Sequence, residues 1–167
     1  MARLTPNLTP VVIGLGSNLD SPAEQVSRAM RKLAELLEEM RSSGLYSSAP
    51  MYLNDQPEFV NAVCTGLSHH GPLALHARLK QIEQEAGRTK TVPNGPRVID
   101  LDLIAYGCLE LRSPGLALPH LRAMERRFVV EPWLEVSEGL ESEPLRRALA
   151  AEPLLSQSIQ RLNNAVV

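Results

Sequence analysis

The chain has 167 residues, 44% hydrophobic and 22% charged, with 17 Lys and Arg against 19 Asp and Glu for a net charge of −2. This size and balance predict a single domain over 1–167 that can bury a core, and they exclude disorder over the whole length. Two cysteines, Cys64 and Cys108, cannot staple such a chain, no apolar run approaches the roughly 18 residues of a membrane span, and the charge gives no global attraction to nucleic acid or an anionic membrane.

Residues 1–10, with Pro6 and Pro10, read as an extended tail without an apolar secretory segment, so a cytoplasmic location is expected. Val11 to Leu15 is a short apolar run entering Gly16-Ser17-Asn18, a buried strand that ends in a turn. Ser21, Pro22 and Glu24 look like a cap, a first-turn proline and a capping-box acid. Val26, Ala29, Leu33, Leu36, Leu37 and Met40 follow at helical spacing and predict a first helix over about 22–40. A second strand is expected over 44–48, a loop over 49–57 and a third strand over 58–68. Leu75, Leu79, Ile82 and Ala86 predict a second helix over 72–86, ended by Gly87. A loop over 88–97 leads to a fourth strand over 98–106. A loop then runs to Pro119, one or two short helices lie within 120–134, and a last helix covers 141–151. The end, about 152–167, is a weakly patterned tail. Cys64 and Cys108 sit in apolar stretches and are expected as buried thiols, and Trp133 as an anchor of the C-terminal helices. Two strand–helix–strand halves in succession, with no helix between the central strands, predict an α+β ferredoxin-like sandwich. In it, helices pack on a mainly antiparallel sheet.

The sharpest chemical feature is Arg97-Val98-Ile99-Asp100-Leu101-Asp102-Leu103-Ile104. In a strand, Ile99, Leu101 and Leu103 share one face, and Asp100 and Asp102 share the other with Cα atoms roughly 6.5–7 Å apart. Two carboxylates so close repel each other and attract a cation, and an oxygen-only set suits Mg²⁺ completed by water and phosphate oxygens. The alternative is a solvated sheet face. Arg88, Lys90 and Arg97 flank the pair on one side, and His120, Arg122, Arg126 and Arg127 on the other. Guanidinium forks match phosphate oxygens, so carboxylates among cations describe a Mg-nucleotide site better than a nucleic-acid track. Only six aromatics occur. Phe59 and Asn61 face the same way on the third strand, as a stacked heterocycle with ring N–H and C=O groups requires, and Phe128 can stack from the opposite side. Core packing is the competing explanation for both Phe residues. The glycine-containing turn at 14–18 lacks the third glycine of a dinucleotide fingerprint, and no Gly-Lys-Ser/Thr loop exists.

The order Gly16-Ser17-Asn18, Asp55-Gln56-Pro57-Glu58-Phe59-Val60-Asn61, Gly95-Pro96-Arg97-Val98-Ile99-Asp100-Leu101-Asp102 and Pro119-His120 resembles the 6-hydroxymethyl-7,8-dihydropterin pyrophosphokinases of folate biosynthesis, over about residues 11–140. The resemblance implies a ferredoxin-like fold and pyrophosphate transfer from MgATP to the pterin hydroxymethyl group. It implies Asp100 and Asp102 as holders of two Mg²⁺ ions. It places Phe59 and Phe128 about the pterin, with Asn61 and main-chain groups near Ser48, Ala49 and Pro50 reading its edge. It assigns Glu83, Lys90, Arg97, Ile104, His120 and Arg126 to ATP, and Arg88 and Arg97 to charge on the transferring group. The implied partners are these two small molecules, with no nucleic acid or membrane, for a monomer. The chain departs from the family pattern at Pro93 and Asn94, where Arg then Trp are common, and at Gly115, Ala117 and Leu121. A non-catalytic ferredoxin-like module that binds a pterin or nucleotide is the other reading.

Overall fold

The computed structural model describes residues 7–87, 89, 92–138 and 142–163. Strand β1 (Thr9–Ser17) is an interior strand of the sheet. It pairs antiparallel with β4 (Phe59–Ser68) on one side and β5 (Asp100–Tyr106) on the other. Alternation sorts its side chains: Val11, Ile13 and Leu15 point to the main core, whereas Val12, Gly14 and Gly16 lie on the opposite face. Helices α1 (Pro22–Ala34) and α2 (Pro72–Glu85) cover the first face. Val26, Ala29, Met30 and Leu33 of α1, with Leu75 and Leu79 of α2, close this core with Cys64, Leu101 and Leu103.

The outer edge of β4 carries two short strands in succession. β2 (Leu37–Ser42) pairs toward its Ser68 end and β3 (Tyr46–Ser48) toward its Phe59 end. A hairpin of β6 (Leu111–Ser113) and β7 (Leu116–Leu118) turns through Gly115, whose φ of 83° suits glycine. A single 3-10 turn at Ala123–Glu125 precedes α3 (Arg127–Val136). α3 lays Val129 and Trp133 over part of the second sheet face, against Val63 and Ile104. α4 (Ser142–Leu149) packs on α3 through Leu145 and Val130, and Trp133 touches both of these smaller clusters, the anchoring role expected of it. β8 (Ile159–Arg161) adds an edge strand beyond β3. The result is an α+β domain with an antiparallel sheet, and none of its described helices is long and apolar enough to cross a membrane.

Several expectations need correction. The first helix stops at Ala34; Leu36 lies in the turn that follows it, and Leu37 and Met40 belong to β2. Leu36, Leu37 and Met40 keep helical spacing, and the strand accommodates Leu37 and Met40 through an irregularity between Glu38 and Arg41, where Glu39 has a φ of 49°. The open edge of β4 decides for the strand, where Leu37 packs on Gly66. Ser21 makes no side-chain cap bond; its φ is 62°, its carbonyl accepts the N–H groups of Glu24 and Gln25, and Glu24 pairs with Arg28 instead. The loop expected before Pro119 contains β6 and β7. Strand β1 begins at Thr9, inside the segment read as an extended tail, and the weakly patterned end supplies β8. Cys64 is buried, and burial pushes its thiol up to about 12, but Cys108 is exposed in the turn after β5.

Candidate active site

The part of the second sheet face that α3 leaves open forms a cleft with about 810 Å³ of empty space including its mouth. Its floor is glycine on β1: Gly14 pairs with Asp102, and Gly16 pairs with Asp100 on one side and Asn61 on the other. A side chain at either glycine would project into the cleft. A Cβ on Gly14 would meet Ile104 Cδ1 at 2.9 Å, and one on Gly16 would lie 3.4 Å from Asn61 Oδ1.

Phe59, Asn61, Arg97, Asp100, Asp102, Ile104, His120, Arg126 and Phe128 all line this cleft, with Ser48 and Ala49 at its edge. Pro50 lines a neighbouring shallow pocket with Arg127 and Gln157. Asn61 is buried, and its Nδ2 donates to Ser48 Oγ at 2.7 Å, so β3 sets the direction of the amide. The Ile104 carbonyl accepts the N–H of His120 at 2.8 Å. Glu83 is 2% exposed and holds β5 from behind: Oε1 accepts Leu101 N–H at 2.7 Å and Lys80 Nζ at 2.9 Å. Arg88 and Lys90 lie outside the described residues.

Asp100 and Asp102 face the cleft together, as the alternation requires. Asp100 Oδ2 accepts Arg97 Nη1 at 2.7 Å. Burial first, and the Asp100 charge second, push the Asp102 carboxyl up to about 6. His120 is held below the usual imidazole range by burial and by the Arg126 charge. A second cleft, lined by His76, Lys80, Gly115, Ala117, Leu121 and Arg122, adjoins the first and shares Asp102, His120 and Arg126 with it. The carboxylates therefore stand where two clefts meet, one with aromatic walls and one rimmed by cations. Arg126 Nε is buried at that junction with no hydrogen-bond partner among the described residues.

Two features escaped sequence reasoning. Tyr52 reaches from loop 49–57 onto Arg122 and Arg126, its ring 4.9 Å and 5.6 Å from their Cζ atoms, and Phe128 lies 5.8 Å from Arg126 Cζ. An exposed tyrosine in a polar loop of an aromatic-poor chain was the available signal. Asn18 was visible only as part of a turn motif, yet its side chain bonds to two other loops.

The architecture agrees with comparisons to known proteins. The family model for 7,8-dihydro-6-hydroxymethylpterin-pyrophosphokinase (HPPK) matches residues 12–138, and the chain belongs to that family. It is 37% identical over 160 residues to the 2-amino-4-hydroxy-6-hydroxymethyldihydropteridine pyrophosphokinase of Pseudomonas aeruginosa, covering 93% of this chain and 98% of that one. To the Haemophilus influenzae protein of the same name it is 36% identical over 130 residues, covering 77% and 81%. The Folic acid synthesis protein fol1 of Pneumocystis carinii is 42% identical over 131 residues, but those make up 78% of this chain and only 18% of that longer protein. An HPPK-DHPS crystal structure in complex with substrates shares the fold at a TM-score of 0.65 and 13% identity, over 86% of this chain and 43% of that one.

Proposed function

We propose that the chain transfers pyrophosphate from MgATP to the hydroxymethyl group of 6-hydroxymethyl-7,8-dihydropterin and releases AMP. The observation that carries this is the position of Asp100 and Asp102 at the meeting of an aromatic-walled cleft and a cationic one. The pterin belongs in the first cleft, stacked between Phe59 and Phe128. Asn61 and the main chain at Ser48, Ala49 and Pro50 read its edge. The nucleotide belongs in the second, against His120 and Arg126, with Glu83 supporting it through β5 and Ile104 through the carbonyl that accepts the His120 N–H. Arg88 and Lys90 enter through the family resemblance, Arg88 at charge on the transferring group and Lys90 at the nucleotide.

In the reaction the hydroxymethyl oxygen bonds to the β-phosphorus. The bond from that phosphorus to the α,β-bridging oxygen breaks, and AMP leaves with the oxygen. Most of the acceleration comes from holding the two substrates in line and from fixed positive charge near the phosphates. Arg97 and Arg126 supply that charge, and the buried Arg126 Nε–H offers a donor in search of an acceptor. The hydroxyl proton passes to water or to the Asp102 carboxylate. Mg²⁺, when bound, neutralises the triphosphate and polarises its phosphoryl oxygens. The donor set fits it: two carboxylates with oxygen ligands only, and no third His, Cys, Asp or Glu converging on them among the described residues, so water and phosphate oxygens complete the shell. Two such ions are part of this reading.

The same reading carries a ferredoxin-like fold, supported by the order β5-β1-β4 with β2 and β3 together taking the next place. It also carries a monomer of one domain in the cytoplasm. The discriminating experiment is a pterin titration with and without MgATP, followed by nucleotide analysis. Pterin binding that MgATP strengthens, with AMP as product, supports the enzyme. Pterin binding indifferent to MgATP, with no turnover, means a binding module.

A further inference from the structure

Gly16-Ser17-Asn18, Asp55-Gln56-Pro57 and Gly95-Pro96-Arg97 are far apart in the chain, and they meet at one side chain. Asn18 is 2% exposed. Its Oδ1 accepts the backbone N–H of Arg97 at 2.9 Å. Its Nδ2 donates to Gln56 Oε1 at 2.9 Å and to Pro57 O at 3.1 Å. Its backbone N–H donates to Arg97 O at 3.2 Å. Gln56 Nε2 donates in turn to Asn94 O at 2.9 Å, so three loops close into a ring around the cleft. The amide has one possible orientation, because a flip would set N–H against the Arg97 N–H and oxygen against the Pro57 carbonyl.

We propose that Asn18 is a positioning residue for the transfer reaction. It clamps the Arg97 backbone on both sides and ties it to the loop that carries Gln56. Arg97 is the only residue in that ring whose side chain reaches both walls of the site, with Nη1 on Asp100 and Cζ 5.7 Å from the Phe59 ring centre. Fixing its main chain fixes where the guanidinium meets developing charge, and a displacement of about 1 Å at such a group is enough to slow a reaction a hundredfold. Asparagine is required: Asp keeps the acceptor for Arg97 but turns an acceptor toward Pro57 O and Gln56 Oε1, and Ser is too short to span both arms. The proposal rests on the reaction assigned above for its kinetic consequence, though not for its geometry.

The test uses the full chain with Asn18→Asp, Asn18→Ser and Gln56→Ala. It measures kcat and KM for both substrates, melting temperature, and hydrogen exchange of the Arg97 amide. Expected for both Asn18 variants is a kcat at least tenfold lower with KM for ATP within threefold, and for Asn18→Ser, which loses the acceptor, Arg97 amide exchange at least tenfold faster. Gln56→Ala, which removes one arm only, should show a smaller fall in kcat and add little in the Asn18→Ser background. Lowered melting temperatures with kcat per folded molecule within twofold of the parent would overturn the positioning role, as would unchanged exchange at Arg97 in Asn18→Ser. Should an Asn18 variant fail to fold, Gln56→Ala alone must still show the kcat fall. If the unaltered protein makes no AMP, the reaction assignment fails by itself, and faster Arg97 exchange in Asn18→Ser still decides whether Asn18 holds the loop.

Discussion

Asp100 and Asn61 stand in one row across the sheet with Gly16 between them, for Gly16 pairs with Asp100 on β5 and with Asn61 on β4. Two strand spacings separate their Cα atoms by about 10 Å. That span suits a cation at one end and the edge of a planar heterocycle at the other, with the hydroxymethyl group between. The row is open because β1 carries glycine where its neighbours carry polar side chains.

Filling that row should block the heterocycle and spare the fold. Gly16→Ala adds a Cβ at ordinary contact distance from Asn61 Oδ1 and Phe59, and its effect on stability should be within about 1 kcal/mol. Gly16→Val pushes methyl groups into the slot. We expect its KM for the pterin to rise at least tenfold with KM for ATP unchanged. Equal loss for both substrates would indicate distortion of β1 instead.

Asp102 predicts an inverted pH dependence of stability for the metal-free protein. Its folded carboxyl titrates at about 6 against 3.8 for the unfolded group. The folded state therefore holds the proton more tightly. This contribution is full below about pH 4 and is lost as pH rises to about 6. Asp102→Asn should be more stable than the parent above pH 6 by about 1–3 kcal/mol, and the difference should shrink toward pH 4. Urea unfolding at pH 4.5 and pH 7.5, without divalent ions, measures it. Saturating Mg²⁺ should reduce the parent's deficit, because metal binding favours the deprotonated carboxylate.

Glu83 makes a different prediction, since its carboxylate is built into the back of β5. Glu83→Ala leaves Leu101 N–H without its acceptor and leaves Lys80 Nζ with the Leu101 carbonyl but no carboxylate. The expected loss is about 2–4 kcal/mol in denaturant unfolding. A contact with nucleotide alone would move KM for ATP and leave unfolding unchanged.

Tyr52 and Phe128 both lie near the Arg126 guanidinium, 5.6 Å and 5.8 Å from its Cζ. Ring–guanidinium contacts at exposed sites are worth about 0.5–1 kcal/mol each. Tyr52→Ala should raise KM for ATP about threefold to tenfold, and Tyr52→Phe should be silent because the face of the ring is retained. Steady-state kinetics of the two variants checks both halves.

What could be read from the chain was what neighbouring residues decide between them. Asp100 and Asp102 are two apart in a strand whose other face is Leu101 and Leu103, so alternation alone predicts a shared open face, and the structure has it. Phe59 and Asn61 follow the same rule and line the same cleft. Features that depend on a distant partner were not legible. Leu36, Leu37 and Met40 have helical spacing, and irregular pairing with the free edge of β4 overrides it from Leu37 onward. β8 is three residues long and acquires its form by pairing with Tyr46–Ser48. Asn18 and Tyr52 have no local pattern, because their significance lies in contacts with loops far along the chain.

The most direct measurement of the central claim is the nucleotide product. The protein is incubated with MgATP and 6-hydroxymethyl-7,8-dihydropterin, and AMP, ADP and pyrophosphorylated pterin are quantified. AMP and the pterin product in equal amounts, no ADP, and a loss of more than a hundredfold in Asp100→Asn are the predicted result. ADP formation, or ATP turnover at the same rate without the pterin, would contradict the account.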